Sequence, residues 1–465
     1  MELPSYLPKS HLVSEDELLS FEITSSFSYL KVWEKYKMDK AMATFDVLTR
    51  DMPKNRNFMV FTGLEEIVQT ILNLKFSNSD IEILKKSGVI NKKNADYLKT
   101  FKFSGSIDAM EEGTIFFPGE PILRVTAPLR EATLFYVYFT TVIPSNTIFS
   151  TKCIRLVLVA KGKNIVVGAN RAHSFESMAK CIRSAYIVGC MPGSSPGYIR
   201  KYGFEETKFI KATVHYFIKS FPSELEAMST FAETFPDNEA TLIVDTYDFA
   251  RGVENAIQVC QQLKRKGKKV HSLYIDSGDL SESVTFARRK LDQAGLQDVE
   301  IMIARNLNEW RIKELMDKKI PFDSCLVVTE PATSFDDPRL EIVYKMAQLE
   351  DRGVVRQTMK LSPEKKSLPG RKQVYRIMEN NKIKKDIIGL EDEDVRGKKL
   401  LVPIIKNGKL VYGLPKISEI REYTAKQVKQ LPERLRELEV QIPSYKVEIS
   451  PGLRKLSKMT QEKVH

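Results

Sequence analysis

The chain has 465 residues, a formal net charge of +12 and 42% hydrophobic residues. That length exceeds one ordinary domain and points to two. The positive balance suits anionic ligands such as phosphates, but the basic residues are diffuse, with small clusters at 264–269, 365–372 and 398–399, and no zinc spacing or aromatic-interleaved basic strand accompanies them; the pattern argues against a nucleic-acid module.

No run of 18 apolar residues occurs, so no transmembrane helix is predicted and no membrane partner is expected. The N-terminus, Met-Glu-Leu-Pro-Ser-Tyr, lacks a basic region and an apolar core, so no signal peptide is read. Cys153, Cys181, Cys190, Cys260 and Cys325 are odd in number and show no CxxC spacing, as expected of reduced thiols in a cytoplasmic protein. The five histidines show no metal-ligand spacing.

In chain order, residues 1–145 mix predicted helices over 64–74, 81–86 and 94–101 with strands over 114–117 and 122–127, separated by the Gly-Glu-Pro turn at 119–121. A strand follows over 164–168 and a helix over 175–187. From residue 240 the alternation is plain: a strand over 241–245, a helix marked by Val253, Ile257, Cys260 and Leu263, then strands over 270–275, 300–303 and 324–329 separated by helices over 280–296 and 309–316. The repeat of roughly 28 residues is what right-handed βα units require. Residues 150–345 therefore read as a β/α barrel, with a doubly wound sheet as the alternative. Residues 346–465 turn to short strands and charged loops, with a Leu-Pro-Gly turn at 368–370 and an expected partly loose tail from 434.

The densest functional signal is His-Ser-Leu-Tyr-Ile-Asp-Ser-Gly-Asp at 271–279. A buried apolar run ends in two carboxylates, Asp276 and Asp279, around a Ser-Gly turn. Acidic and small residues at the carboxyl end of a parallel strand are where α/β folds place their chemistry. A carboxylate there can hold ribose hydroxyls or magnesium. On these residues alone the commoner role is to cap the next helix, 280–296, and the rest of the chain is what raises the functional one.

The whole chain resembles the nicotinate phosphoribosyltransferase family. The shared stretches, in family order, are Ala43-Thr-Phe-Asp, Asn-Arg-Asn at 55–57, Gly63-Leu-Glu, Asn170-Arg-Ala-His, Phe221-Pro-Ser-Glu-Leu-Glu-Ala, Phe235-Pro-Asp-Asn, Val244-Asp-Thr-Tyr-Asp, Ile275-Asp-Ser-Gly-Asp-Leu, Val343-Tyr-Lys and Lys360-Leu-Ser with Pro369-Gly-Arg-Lys-Gln-Val. The resemblance implies an α/β fold: an irregular β/α barrel of the type II phosphoribosyltransferase kind, plus an α/β domain built from both chain ends. It also implies the joining of nicotinate to phosphoribosyl pyrophosphate, giving nicotinate mononucleotide and pyrophosphate. Magnesium, ATP hydrolysis through a phosphorylated histidine, and a homodimer are implied with it.

By this resemblance His215 is the phosphorylatable histidine, and Asp276 the ribose-side and magnesium-side aspartate. Arg171, Ser194, Asp279, Arg305, Asn306 and Thr329 bind substrate. The departures fall in the same places. The family's Gly-Thr-x-Ala-His is Lys211-Ala-Thr-Val-His, and the arginine that meets the nicotinate carboxylate is Tyr274. The family's early Asp-x-Tyr falls in 22–27, where Phe27 is the aromatic available to stack on a base. The phosphate cradle Gly-Val-Gly-Thr-Lys/Arg is Leu326-Val-Val-Thr-Glu330, and a glutamate several ångströms from a phosphate is repulsive by roughly 1–4 kcal/mol. Arg305 is positioned to compensate with a guanidinium. Two readings follow: the family enzyme with a divergent pocket, or a non-catalytic homologue that binds, assembles or takes a different anionic ligand.

Overall fold

Short runs such as Ala-Thr-Leu-Ile at 240–243 and Ser-Leu-Tyr-Ile at 272–275 are buried at every position. Strands without alternation need cover on both faces, which a parallel sheet flanked by helices supplies. The computed structural model describes residues 15–193, 195–204, 211–235 and 237–464. Seven strands form one parallel sheet in the order 191–192, 164–167, 324–327, 300–303, 272–275, 240–243, 211–212. Among the described residues its edge strands, Met191–Pro192 and Lys211–Ala212, do not pair with each other, so the strands form an incomplete barrel. The strand expected over 324–329 ends at Val327 and the helix expected over 280–296 ends at Gln293.

The helices cover the sheet with one apolar stripe each. Phe249–Arg265 buries Val253, Ala256, Val259, Cys260 and Leu263. Its Gly252 rests on the chain just beyond the 240–243 strand; a Cβ there would lie 2.0 Å from the Val244 carbonyl oxygen.

A second, antiparallel sheet joins the chain ends. Met42–Thr49 lies between Pro121–Pro128 and Ile342–Asp351, and Ser106–Met110 and Leu401–Lys406 extend the other side. A buried ion pair, Lys372 Nζ to Asp46 Oδ2 at 2.6 Å, ties the Pro369-Gly-Arg-Lys stretch to the first strand.

At the level of domains the structure departs from the expectation in three places. Tyr136–Ala160 is one 25-residue helix that runs through the expected break at 145–150. It is apolar on nearly all sides, so it carries no amphipathic period to announce it. With the residues from Leu129 it is long and apolar enough to cross a membrane, but most of it is buried inside the fold, as a core helix is. Strand Ile342–Asp351 begins before residue 345 and belongs to the antiparallel sheet. The tail is not loose: Pro451–Val464 is helical and anchored by the fully buried Leu453.

Candidate active site

The carboxyl ends of the parallel strands open on a cavity of about 1070 Å³. Val166, Met178, Tyr198, Ala212 and Leu326 supply its apolar walls; Asn170, Arg171, Tyr274, Asp276, Arg305, Asn306, Thr329 and Glu330 supply its polar groups. Each polar group sits at or just past a strand end, where the chain leaves the core and its side chains are released from packing.

Asp276 follows strand 272–275, and Asp245 follows the neighbouring strand 240–243. Asp245 Oδ2 accepts the Asp276 backbone N–H at 2.8 Å, while Asp245 Oδ1 is buried without a hydrogen-bond partner. Burial raises the Asp276 carboxyl above the usual aspartate range, the Asp245 charge raises it further, and His215 and Arg171 pull it back. Burial also raises the Tyr274 hydroxyl, with Asp276 and Asp245 adding to the effect. This is an acidic spot that favours a cation or a donor hydroxyl.

Arg171 Nη1 donates to Thr329 Oγ1 at 3.1 Å, linking the ends of adjacent strands 164–167 and 324–327. Arg305 donates to the Gly278 carbonyl. Arg305 and Asn306 are consecutive left-handed residues, with φ of 75° and 47°. A non-glycine pair in that region is held there by its surroundings, as happens where a loop is shaped for a ligand.

His215 opens the single helical turn His215–Ile218, and its Nδ1 lies 3.2 Å from Thr246 Oγ1. Thr246 directly follows Asp245, which brings the ring toward the carboxylate pair, but His215 itself is not among the residues that line the cavity.

Of the residues expected from the sequence, Arg171, Asp276, Arg305, Asn306 and Thr329 line the cavity together. Asp279 does not: it caps Leu280–Gln293 by accepting from the Ser281 and Glu282 backbone N–H groups, and Arg311 lies 3.7 Å away. A shallow neighbouring cleft joins it to Arg305 and Asn306. Ser194 lies outside the described residues, between Gly193 and Ser195, which line the cavity. Phe27 does not stack over the cavity; it is buried against Phe76, ring centroids 6.0 Å apart, in the amino-terminal core. Lys211 pairs with Glu239 and sits over the Phe235 ring at 5.3 Å.

Glu330 corrects the expected repulsion. Its carboxylate is held at 2.8 Å by Lys152, from the core helix Tyr136–Ala160. The only sequence signal for Lys152 was its being one of two charges in that helix, the other being Arg155.

Among the described residues no three His, Cys, Asp or Glu side chains gather as a metal site. Magnesium does not need one. It binds through one or two carboxylates with water and substrate phosphates, and the Asp276–Asp245 pair, with its unpartnered Oδ1, has that chemistry.

Residues 27–143 match the nicotinate phosphoribosyltransferase (NAPRTase) N-terminal domain, and residues 393–457 the nicotinate phosphoribosyltransferase C-terminal domain. The chain is 32% identical over 432 residues to nicotinate phosphoribosyltransferase pncB2 of Mycobacterium tuberculosis, covering 92% of this chain and 90% of that one. It is 30% identical over 413 residues to the nicotinate phosphoribosyltransferase of Bacillus subtilis, covering 82% of each. The fold matches the crystal structure of human nicotinic acid phosphoribosyltransferase with a TM-score of 0.80 at 19% identity, over 96% of this chain and 100% of that one. Motif order, both matching domains and 32% identity over 92% of the chain agree: the chain belongs to the nicotinate phosphoribosyltransferase family.

Proposed function

We propose that this chain joins nicotinate to phosphoribosyl pyrophosphate, releasing nicotinate mononucleotide and pyrophosphate. The observation that carries the reading is the convergence of Asp276, the Arg171–Thr329 pair and Arg305 on one cavity at the carboxyl ends of the strands, in a chain of this family. The reaction replaces a C–O bond at ribose C1 with a bond to the pyridine nitrogen, and the pyrophosphate leaves with the electron pair. Its transition state is electron-poor at the ribose carbon and anionic on the leaving group. A carboxylate near the ribose and fixed cations near the phosphates stabilise both charges. Asp276 fits the first role; Arg171, Arg305 and the Thr329 hydroxyl fit the second. Magnesium, when bound, supplies further neutralisation of the leaving pyrophosphate, and Asp276 is the residue to hold it.

The His215 ring is offered as the site of ATP-dependent phosphorylation. With Nδ1 engaged by Thr246, Nε2 is the nitrogen left for the phosphoryl group. The proposed setting is a cytoplasmic homodimer, and the five free, buried cysteines support the compartment. The alternative, a homologue that has lost the reaction, is weakened by the pairing of Glu330 with Lys152, since the cradle's one adverse charge is offset.

The test is calorimetric titration with phosphoribosyl pyrophosphate plus magnesium, then with nicotinate, beside a turnover assay with and without ATP. Saturable phosphosugar binding, and an ATP stimulation that His215→Ala abolishes, are expected. A parent protein giving no heat with the phosphosugar would overturn the reading in favour of a non-catalytic homologue.

A further inference from the structure

Lys152 and Arg155 are the two charged residues of the core helix Tyr136–Ala160, and both are buried. The Lys152 side chain is 1% exposed, and its Nζ contacts three carboxylates: Glu309 Oε2 at 2.8 Å, Glu330 Oε2 at 2.8 Å and Asp336 Oδ1 at 2.9 Å. Arg155 Nε holds the other Glu309 oxygen at 2.9 Å, and Arg56 holds Asp336 through two bonds of 2.6 and 3.0 Å. Three cations therefore meet three carboxylates in one buried network.

Two of those carboxylates belong to segments that shape the cavity. Glu309 directly follows Asn308, and Glu330 directly follows Thr329; Asn308, Thr329 and Glu330 all line the cavity. Burying an ion network is a poor way to gain stability, because desolvation consumes most of the attraction and an apolar cluster of equal volume would serve as well. Its placement gives a better account. Glu330 is a carboxylate on the wall beside the Thr329 hydroxyl that Arg171 engages. Left unpaired, it would face any anion held there.

We propose that Lys152 is a positioning residue for the anionic substrate: from inside the core it holds Glu330 and cancels its charge, so that the wall formed by Arg171 and Thr329 accepts a phosphorylated ligand. The inference rests on the phosphosugar reading above. It assigns to a core lysine the charge compensation that the loop itself lacks at Glu330.

The probe is phosphoribosyl pyrophosphate with magnesium, titrated by calorimetry into the full chain, with KM and kcat measured alongside. Lys152→Met should weaken phosphosugar binding by about tenfold or more while leaving the KM for nicotinate within about twofold. Adding Glu330→Gln to that variant should restore most of the lost affinity, which a merely structural lysine would not allow. Should Lys152→Met fail to fold, Glu330→Gln alone decides: Lys152 is then left in excess of acid, and phosphosugar binding should tighten by about threefold with a steeper salt dependence. Equal loss for both substrates, no rescue by Glu330→Gln, or binding unchanged or weaker in Glu330→Gln alone would each overturn the role of Lys152. Absent binding by the parent protein would instead overturn the phosphosugar reading, and this inference with it.

Discussion

The backbone N–H of Asp276 donates to Asp245 Oδ2 at 2.8 Å across two neighbouring parallel strands. One carboxylate therefore fixes the loop that carries the other, and its charge stands behind it. The arrangement both orients Asp276 and makes it harder to ionise, since burial and then Asp245 raise its carboxyl.

Asp245→Asn separates these effects, because the amide oxygen still accepts the Asp276 N–H while the charge is gone. A carboxyl with a raised value is protonated sooner as pH falls, so the acid limb of magnesium-dependent phosphosugar binding lies above the ordinary aspartate range. In Asp245→Asn that limb should move to lower pH, alongside the loss of magnesium affinity at neutral pH that removing one carboxylate brings. Dissociation constants measured between about pH 4 and pH 7 check this. A limb that stays in place or moves upward would refute the coupling.

Tyr274 and Ala212 line the cavity at the positions where the family resemblance implies contact with the nicotinate carboxylate. Tyr274 is 8% exposed and a neutral phenol, so it offers no cation to a carboxylate. A charge-assisted hydrogen bond is worth about 1.5–3 kcal/mol, so nicotinate should saturate at concentrations at least about tenfold higher than in a variant that carries arginine there. Tyr274→Arg with Ala212→Thr should lower the KM for nicotinate. Tight nicotinate binding by the parent, unmoved by the double change, would show that another cation such as Arg305 has taken over.

A third expectation concerns stability. Glu120 follows the Gly119 turn, and burial, then the Asp386 charge, raises its carboxyl well above the usual 4.5. Asp386 is itself held by Arg376 at 2.6 Å. Above pH 4.5 the folded state holds the Glu120 proton more tightly than the unfolded chain does. Its contribution is thus full below pH 4.5 and is lost as pH rises through the folded value. Glu120→Gln keeps an acceptor for the Phe117 N–H and removes the ionisation. It should gain stability on the order of 1 kcal/mol at neutral pH and flatten the decline above pH 4.5, as read from urea unfolding at several pH values. A variant less stable than the parent at neutral pH would show that Glu120 is ionised in the folded protein.

The sequence determined the parallel half of the fold because each βα unit is written locally. Strand 300–303 and helix 175–187 were legible to the residue, and strand 272–275 lost only its first two positions to the loop. Fully buried apolar runs and three-and-four spacing are properties of neighbouring residues, so they survive without the fold. The same held for Asp276, Thr329, Arg171 and Arg305, which the ordered motifs placed at strand ends and the structure brings to one cavity. What only the tertiary structure decided depends on pairs far apart in the chain. Asp279 and Asp276 read alike in sequence, yet helix geometry makes the first a cap and leaves the second facing the cavity. Glu330 read as an adverse charge until a lysine 178 residues earlier met it at 2.8 Å. Helix Tyr136–Ala160 showed no period because its neighbours cover it on nearly all sides. Charge compensation and all-round burial are set by whichever elements pack together, and no local pattern carries that information.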